Sequence, residues 1–134
     1  MIAGVVVDTD VVSFLYKHDT RATAYRGHLD GKLLLVSFMA IAELDRWTLE
    51  RNWGEKRKQD LETFMQRFTI IEVSRDLCRK WAEATHSARR AGRPIETADA
   101  WMAATALLYE VPLITHNGRH YAGVSGLQVI TEAP

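Results

Sequence analysis

The chain has 134 residues, 47% of them hydrophobic, a size and content that suit a single domain over 1–134 with a real core. Its 17 basic and 17 acidic side chains cancel, so no global field draws it to nucleic acid or a membrane, and polyanion contacts must come from local patches. Cys78 is the only cysteine, which excludes an internal disulfide and a multi-cysteine zinc site. No apolar run approaches the roughly 18 residues of a membrane span, and Met1-Ile2-Ala3-Gly4 has no basic leader region, so a cytoplasmic protein with no membrane partner is expected.

Val5-Val6-Val7 predicts a buried strand that stops on Asp8, at the rim of an open α/β sheet where ligands collect. Thr9 to Lys17 carries Val11, Val12, Leu15 and Tyr16 at helical spacing. A second helix runs from Thr20 to Leu29 and ends at the turn signal Asp30-Gly31, before a strand over Lys32 to Val36. Ser37 caps a helix with an apolar stripe of Ala40, Ile41, Leu44 and Trp47, and Glu43 lies along its edge. That helix frays near Asn52-Trp53-Gly54.

The charged stretch Glu55 to Asp60 leads into Leu61, Phe64, Met65 and Phe68, an amphipathic helix whose apolar side chains are expected to be exposed for a partner helix. Thr69 to Val73 reads as a short strand. Ser74 then caps a helix through Leu77, Trp81 and Ala84 to Ala88, closing at Gly92 and Pro94. Glu96 to Tyr109 is apolar almost all round and reads as a buried helix with Asp99 in its first turn. A strand over Val111 to Thr115, a polar loop from His116 to Tyr121 and a last strand over Leu127 to Ile130 complete an α/β pattern with a mostly parallel sheet.

Three acids stand out, and each has an ordinary explanation. Asp8 can cap a helix, Glu43 can pair with Arg46, and Asp99 suits the positive end of a helix dipole. Taken together, acids at one strand end and on two apolar helices favour a shared cation, because a buried carboxylate without a partner is costly. All-oxygen ligation suits Mg²⁺ or Mn²⁺ rather than zinc, and His116 and His120 belong to no HExxH motif. Such an ion polarises a phosphate and acidifies water, the requirements for phosphodiester hydrolysis. Asp8-Thr9-Asp10 also matches the opening of haloacid-dehalogenase-type phosphatases, whose first Asp attacks phosphate. Leu113 to Gly118 supplies no acid for that family's late motif.

Val5 to Asp10, Ser37 to Leu44, Pro94 to Ala106 and Leu113 to Asn117 together resemble the signature segments of PIN-domain ribonucleases, and most of all the VapC toxins of bacterial toxin–antitoxin pairs. The resemblance implies a PIN-like three-layer α/β/α fold, with Asp8, Glu43 and Asp99 as catalytic metal ligands and Asn117 at the fourth catalytic position, often Asp in the family. His120 replaces an acid common in the following segment. Asp10 stands where many relatives carry Asn or Ser, and with Ser37, Glu96 and Thr115 it forms the surrounding set. The implied activity is Mg²⁺- or Mn²⁺-dependent cleavage of RNA to a 3′-hydroxyl and a 5′-phosphate by a homodimer that a VapB-type antitoxin inhibits. Asn117 brings no charge, so a catalytically inactive PIN-like domain that binds RNA or a partner is the alternative.

RNA near a carboxylate cluster needs compensating cations. Arg89, Arg90 and Arg93 precede the Asp99 helix and are the candidate RNA contacts, and Arg46, Arg51, Lys56, Arg57 and Lys58 follow Glu43. Both groups also read as ordinary solvated helix faces. Trp47, Trp53 and Trp81 read either as base-stacking platforms or as core.

Overall fold

The computed structural model describes residues 3–134; Met1 and Ile2, part of the N-terminal stretch considered above as a leader, lie outside them. Its centre is β1 (Gly4–Val7), where Val5, Val6 and Val7 are all buried, as a β-branched run covered on both faces requires. Around it lie β2 (Leu33–Ser37), β3 (Thr69–Ile71), β4 (Leu113–Ile114) and β5 (Val129–Ile130), in the order β3-β2-β1-β4-β5 and all parallel. Register sets Val6 between Leu35 on one side and Leu113 on the other.

The chain moves outward from β1 to β3 through α1 (Thr9–Lys17), α2 (Ala22–Leu29), α3 (Phe38–Glu50) and α4 (Glu55–Met65). It then returns past β1 to β4 through α5 (Arg75–Arg90) and α6 (Thr97–Tyr109). Right-handed crossovers in opposite directions put the two helix sets on opposite faces, which gives three layers. Ala100, Ala103, Ala104 and Ala106 are buried along α6, and these small side chains let α5 approach on one side and the sheet on the other.

Several elements are shorter than their sequence patterns. β4 holds two residues because Pro112 has no N–H to donate and the Val111 N–H is taken by the Ala106 carbonyl (3.1 Å) at the end of α6. β5 starts at Val129, although the Gln128 carbonyl still accepts from the Leu113 N–H at 2.9 Å. β3 stops at Ile71, since Glu72 and Val73 turn outward before Ser74 caps α5 through the Leu77 N–H. α2 starts at Ala22 because Asp19 holds both the Arg21 N–H (2.9 Å) and its guanidinium (2.8 Å). Gly118–Tyr121, read as loop, forms a 3-10 turn.

The expected open apolar face on α4 is corrected. Met65 and Phe68 are buried in the core, and Phe64 packs edge-on to Tyr16 at 5.3 Å beneath the Arg67 guanidinium. Trp47 and Trp53 belong to the same aromatic cluster, their centroids 4.8 Å apart. Lys17 and Arg51 lie over the Trp47 ring and Arg57 over that of Trp53. Arg46 and Lys58 pair with Glu50 and Glu55, so much of the basic group after Glu43 is engaged locally.

Two glycines test this packing with opposite signs. A Cβ on Gly123 would meet the Arg93 carbonyl at 2.7 Å and the Ala88 Cα at 3.1 Å, so Gly123→Ala is expected to cost about 1–3 kcal/mol. Gly27, in the last turn of α2, has open space around it, so Gly27→Ala is expected to add up to about 0.5–1 kcal/mol. Urea unfolding of the two variants against the parent measures both.

Candidate active site

The strand order places β2 and β3 on one side of β1 and β4 and β5 on the other, so the chain reverses direction beside β1. Clefts in open α/β sheets form at such points, beyond the carboxyl ends of the strands. Asp8 is the first residue past β1 there and is only 6% exposed. Its Oδ1 accepts from the Thr9 N–H at 2.8 Å; its Oδ2 accepts from the Thr115 hydroxyl at 2.8 Å and the Tyr121 hydroxyl at 2.7 Å. These donors replace the water that a buried carboxylate gives up.

The same groups reach the other two acids. The Thr9 hydroxyl donates to Glu43 Oε1 at 2.7 Å, so one residue orients both Asp8 and Glu43. The Tyr121 oxygen also lies 3.4 Å from Asp99 Oδ1, and His120 Nδ1 lies 3.2 Å from Asp99 Oδ2. Beside Asp99 a cleft of about 170 Å³ is lined by Pro94, Glu96, Asp99 and His120.

The electrostatics agree with this crowding. Burial, then the Asp8 charge, raises the Asp99 carboxyl above its ordinary range, with His120 pulling the other way. Burial raises Glu43 as well; the Thr9 hydrogen bond opposes the rise, and the charges of Asp8 and Asp99 add to it. Asp10 is pushed up to about 7 by burial and then by Asp8, against the N–H groups of His116 and Val11. Burial, with Asp8 and Asp99 nearby, holds the Tyr121 phenol far above its ordinary value, so it stays a proton donor. Among the described residues no ion pair engages Asp8, Asp10 or Glu43.

The remaining candidates divide. Thr115 touches Asp8 directly and also accepts the Asn117 N–H at 3.1 Å. Asn117 turns its Nδ2 to Asp10 Oδ2 (3.0 Å), which also takes the His116 N–H. Ser37 is buried and its hydroxyl caps α3 through the Met39 N–H; no hydrogen bond among the described residues joins it to the acids. Glu96 stands exposed at the start of α6, lines the cleft with Asp99 and adds to the negative charge on it. Arg89, Arg90 and Arg93 are exposed and make no ion pair among the described residues.

Tyr121 and Thr9 were not singled out from the sequence. Thr9 could have been found as the hydroxyl next to Asp8. A tyrosine in a polar loop gives no sign that it is only 2% exposed and faces two acids.

Among the described residues no three His, Cys, Asp or Glu side chains form a ready-made metal cage. Mg²⁺ does not require one, because it keeps several waters and uses one or two carboxylates. The donors present suit it: hard oxygens only, Glu43 and Asp99 both raised by burial with the neighbouring charges adding to it, and Glu43 Oε2 without a hydrogen bond among the described residues.

Comparison with known proteins adds a sequence-wide frame. Ribonuclease VapC1 of Haemophilus influenzae is 26% identical over 125 residues, covering 92% of this chain and 93% of that one. Ribonuclease VapC4 of Mycobacterium tuberculosis is 28% identical over 98 residues, 72% and 75% of the two chains. A chain of VapBC2 from Rickettsia felis, bound to a promoter DNA fragment, superposes with a TM-score of 0.82 at 20% identity over 98% of both chains, a likeness of fold. VapBC-1 from nontypeable Haemophilus influenzae gives 0.75 at 25% identity, again over 98% of both. The PIN domain family model matches residues 5–126, a span that holds Asp8, Glu43, Asp99 and Asn117, and the chain belongs to the PIN-domain family.

Proposed function

We propose that this chain is an endoribonuclease toxin, dependent on Mg²⁺ or Mn²⁺ and held in check by a VapB-type antitoxin. The observation that carries the reading is the Tyr121 hydroxyl set between Asp8 and Asp99, with Thr9 tying Glu43 to the same centre. Relatives named ribonuclease VapC1 and VapC4 support RNA as the substrate. The fold neighbours, solved as VapBC complexes, support the antitoxin. A haloacid-dehalogenase-type phosphatase is disfavoured by the family match over residues 5–126. No helix among the described residues is long and apolar enough to cross a membrane. The proposed toxin is a single-domain cytoplasmic protein that works as a homodimer, as the family resemblance implies.

Asp8, Glu43 and Asp99 would hold the ion. When bound, it supplies positive charge to the phosphate and lowers the pKa of the attacking water. The chain's own part is orientation. Tyr121 and Thr115 keep Asp8 Oδ2 in place, Thr9 aims Glu43, and His120 steadies Asp99 at the open cleft. Asp10, through the His116 N–H and the Asn117 amide, holds the start of the loop that carries Tyr121. Water adds to phosphorus as the 3′ oxygen leaves, giving the 3′-hydroxyl and 5′-phosphate ends that the family resemblance implies.

Asp8→Asn and Asp99→Asn are each expected to abolish growth arrest on expression and RNA cleavage by the purified protein. Parent-like cleavage by either variant overturns the assignment, and a parent that binds no Mn²⁺ points instead to a PIN-like domain that binds without cutting.

Tyr121→Phe removes one hydroxyl without changing the ring. It is expected to cost about 1–3 kcal/mol in urea unfolding, because Asp8 Oδ2 loses a donor. Cleavage should fall about 10–100-fold, the usual cost of losing a group that orients a metal ligand.

The pH dependence follows from carboxyls whose folded-state affinity for protons is raised. Asp10 binds its proton up to about 7 when folded but only to 3.8 otherwise, so its contribution to stability is complete at low pH and lost as pH rises through about 7. Glu43 and Asp99 act in the same direction. Chelator-treated protein should therefore melt at lower temperature at about pH 8 than at about pH 5. Added Mn²⁺ should raise the melting temperature more at the higher pH, where protons no longer compete. Calorimetry across pH with and without Mn²⁺ measures both effects.

A further inference from the structure

A second groove lies beside the acids. About 400 Å³ in volume, it is lined along one side of α5 by Trp81, Thr85, His86 and Arg89 and closed by Pro94 and Ile95 before α6. Pro94 also lines the cleft that holds Asp99, so the two depressions adjoin. The Trp81 ring is held by two neighbours, one of them braced by a third ring. Its Nε1 donates to the Thr97 carbonyl at 3.4 Å, its centroid is 5.5 Å from that of Trp101 at a 31° tilt, and Trp101 meets Phe38 edge-on at 5.2 Å. All three rings are half-buried rather than sealed in the core.

We propose that this groove receives one unpaired base of the RNA substrate, stacked on Trp81, while the adjoining phosphate lies at Asp8 and Asp99. The inference rests on the nuclease reading and assigns that site a base-binding subsite. A held aromatic ring is what base stacking uses, and single-stranded RNA offers its bases for it. The volume falls within the range of small-ligand pockets, about 300–1,000 Å³. Charge decides between occupants. Arg89 lines the groove and has no ion-pair partner among the described residues, so a second copy meeting this face with its own would bring like charge, whereas RNA brings phosphates. Thr85 is not available to read the base, since its hydroxyl is bonded to the Trp81 and Ala82 carbonyls. Reading falls to Arg89 and His86, whose donors suit an acceptor-rich base edge.

The test is equilibrium binding, by fluorescence anisotropy in EDTA and low salt so that nothing is cut, of short labelled RNAs: single-stranded homopolymers of A, C and U, and a blunt duplex. Trp81→Ala and Arg89→Ala should each weaken single-strand binding about five- to a hundredfold and flatten the differences between bases. Trp81→Phe keeps a stacking face and should stay within about threefold of the parent, and duplex binding should not respond to Trp81→Ala. Single-strand affinities of Trp81→Ala and Arg89→Ala within about twofold of the parent overturn the proposal. So does a loss of dimer mass in Trp81→Ala with Arg89→Ala binding unchanged, which marks the groove as an interface between copies. Should Trp81→Ala not fold, Arg89→Ala and Trp81→Phe decide. Cleavage by the parent in Mn²⁺ is read separately. A parent that binds with base preference but cuts nothing sinks the nuclease reading alone, and one that cuts while its variants bind as it does sinks only the groove.

Discussion

The structure depends on keeping a carboxylate, Asp8, almost out of water beside two others. Through the Tyr121 oxygen, Asp8 Oδ2 and Asp99 Oδ1 can be no farther apart than 2.7 and 3.4 Å laid end to end. Two full charges at that separation repel by about 3 kcal/mol at an effective dielectric near 20, before screening at the open side. The scaffold must outweigh this. Val5, Val6 and Val7 do so in part, since each buried valine contributes about 1.5–3 kcal/mol and the strand they form cannot shift without exposing them. Asp8 goes where β1 ends, and burial, with this repulsion added to it, is carried as raised proton affinity at Asp99, Glu43 and Asp10 rather than relieved by moving apart.

The strand and helix order could be read from the chain because apolar spacing is a local property. The unbroken β-branched run Val5 to Val7 and the all-round apolar character of Ala98 to Leu108 needed no knowledge of distant partners. Element ends were less legible, since they turn on competing hydrogen bonds: the Val111 N–H bonding back to α6, or Asp19 holding Arg21 ahead of α2. The apolar residues after α4's charged start show the limit of amphipathic reasoning. Phe64 and Phe68 read as an open face, yet Tyr16 comes from another segment to meet Phe64, with Trp47 and Trp53 packed behind it, and periodicity cannot say which face finds a partner.

The acids were legible as interruptions of apolar patterns; their supports were not. Thr9, Thr115 and Tyr121 are separated by up to 113 positions from the oxygen atoms they serve, and a hydroxyl costs nothing unusual in a sequence until its surroundings are known. Their placement follows from the parallel sheet. β1 and β4 are neighbours, so Asp8 and Thr115, each one residue beyond its strand, meet at the rim. The 3-10 turn then brings Tyr121 back over both, and its close packing against the α5–α6 connection at Gly123 keeps it there.

The same geometry accounts for the departure at the fourth position. By the family resemblance, an acid is usual at 117 and an amide or hydroxyl at 10; here Asp10 and Asn117 have the reverse chemistry and are hydrogen-bonded to each other at 3.0 Å. A carboxylate at both positions would set two like charges at hydrogen-bond distance within reach of Asp8, where Asp10 alone is already raised to about 7. An amide at one of them supplies a donor in place of a charge. The loop is therefore held by the pair, with Tyr25 fastening its other side through His116 Nδ1 at 2.6 Å and the Glu132 N–H closing on the Tyr25 hydroxyl at 3.0 Å. One carboxylate and one donor face each other here, which keeps the charge beside Asp8 lower than two carboxylates would make it.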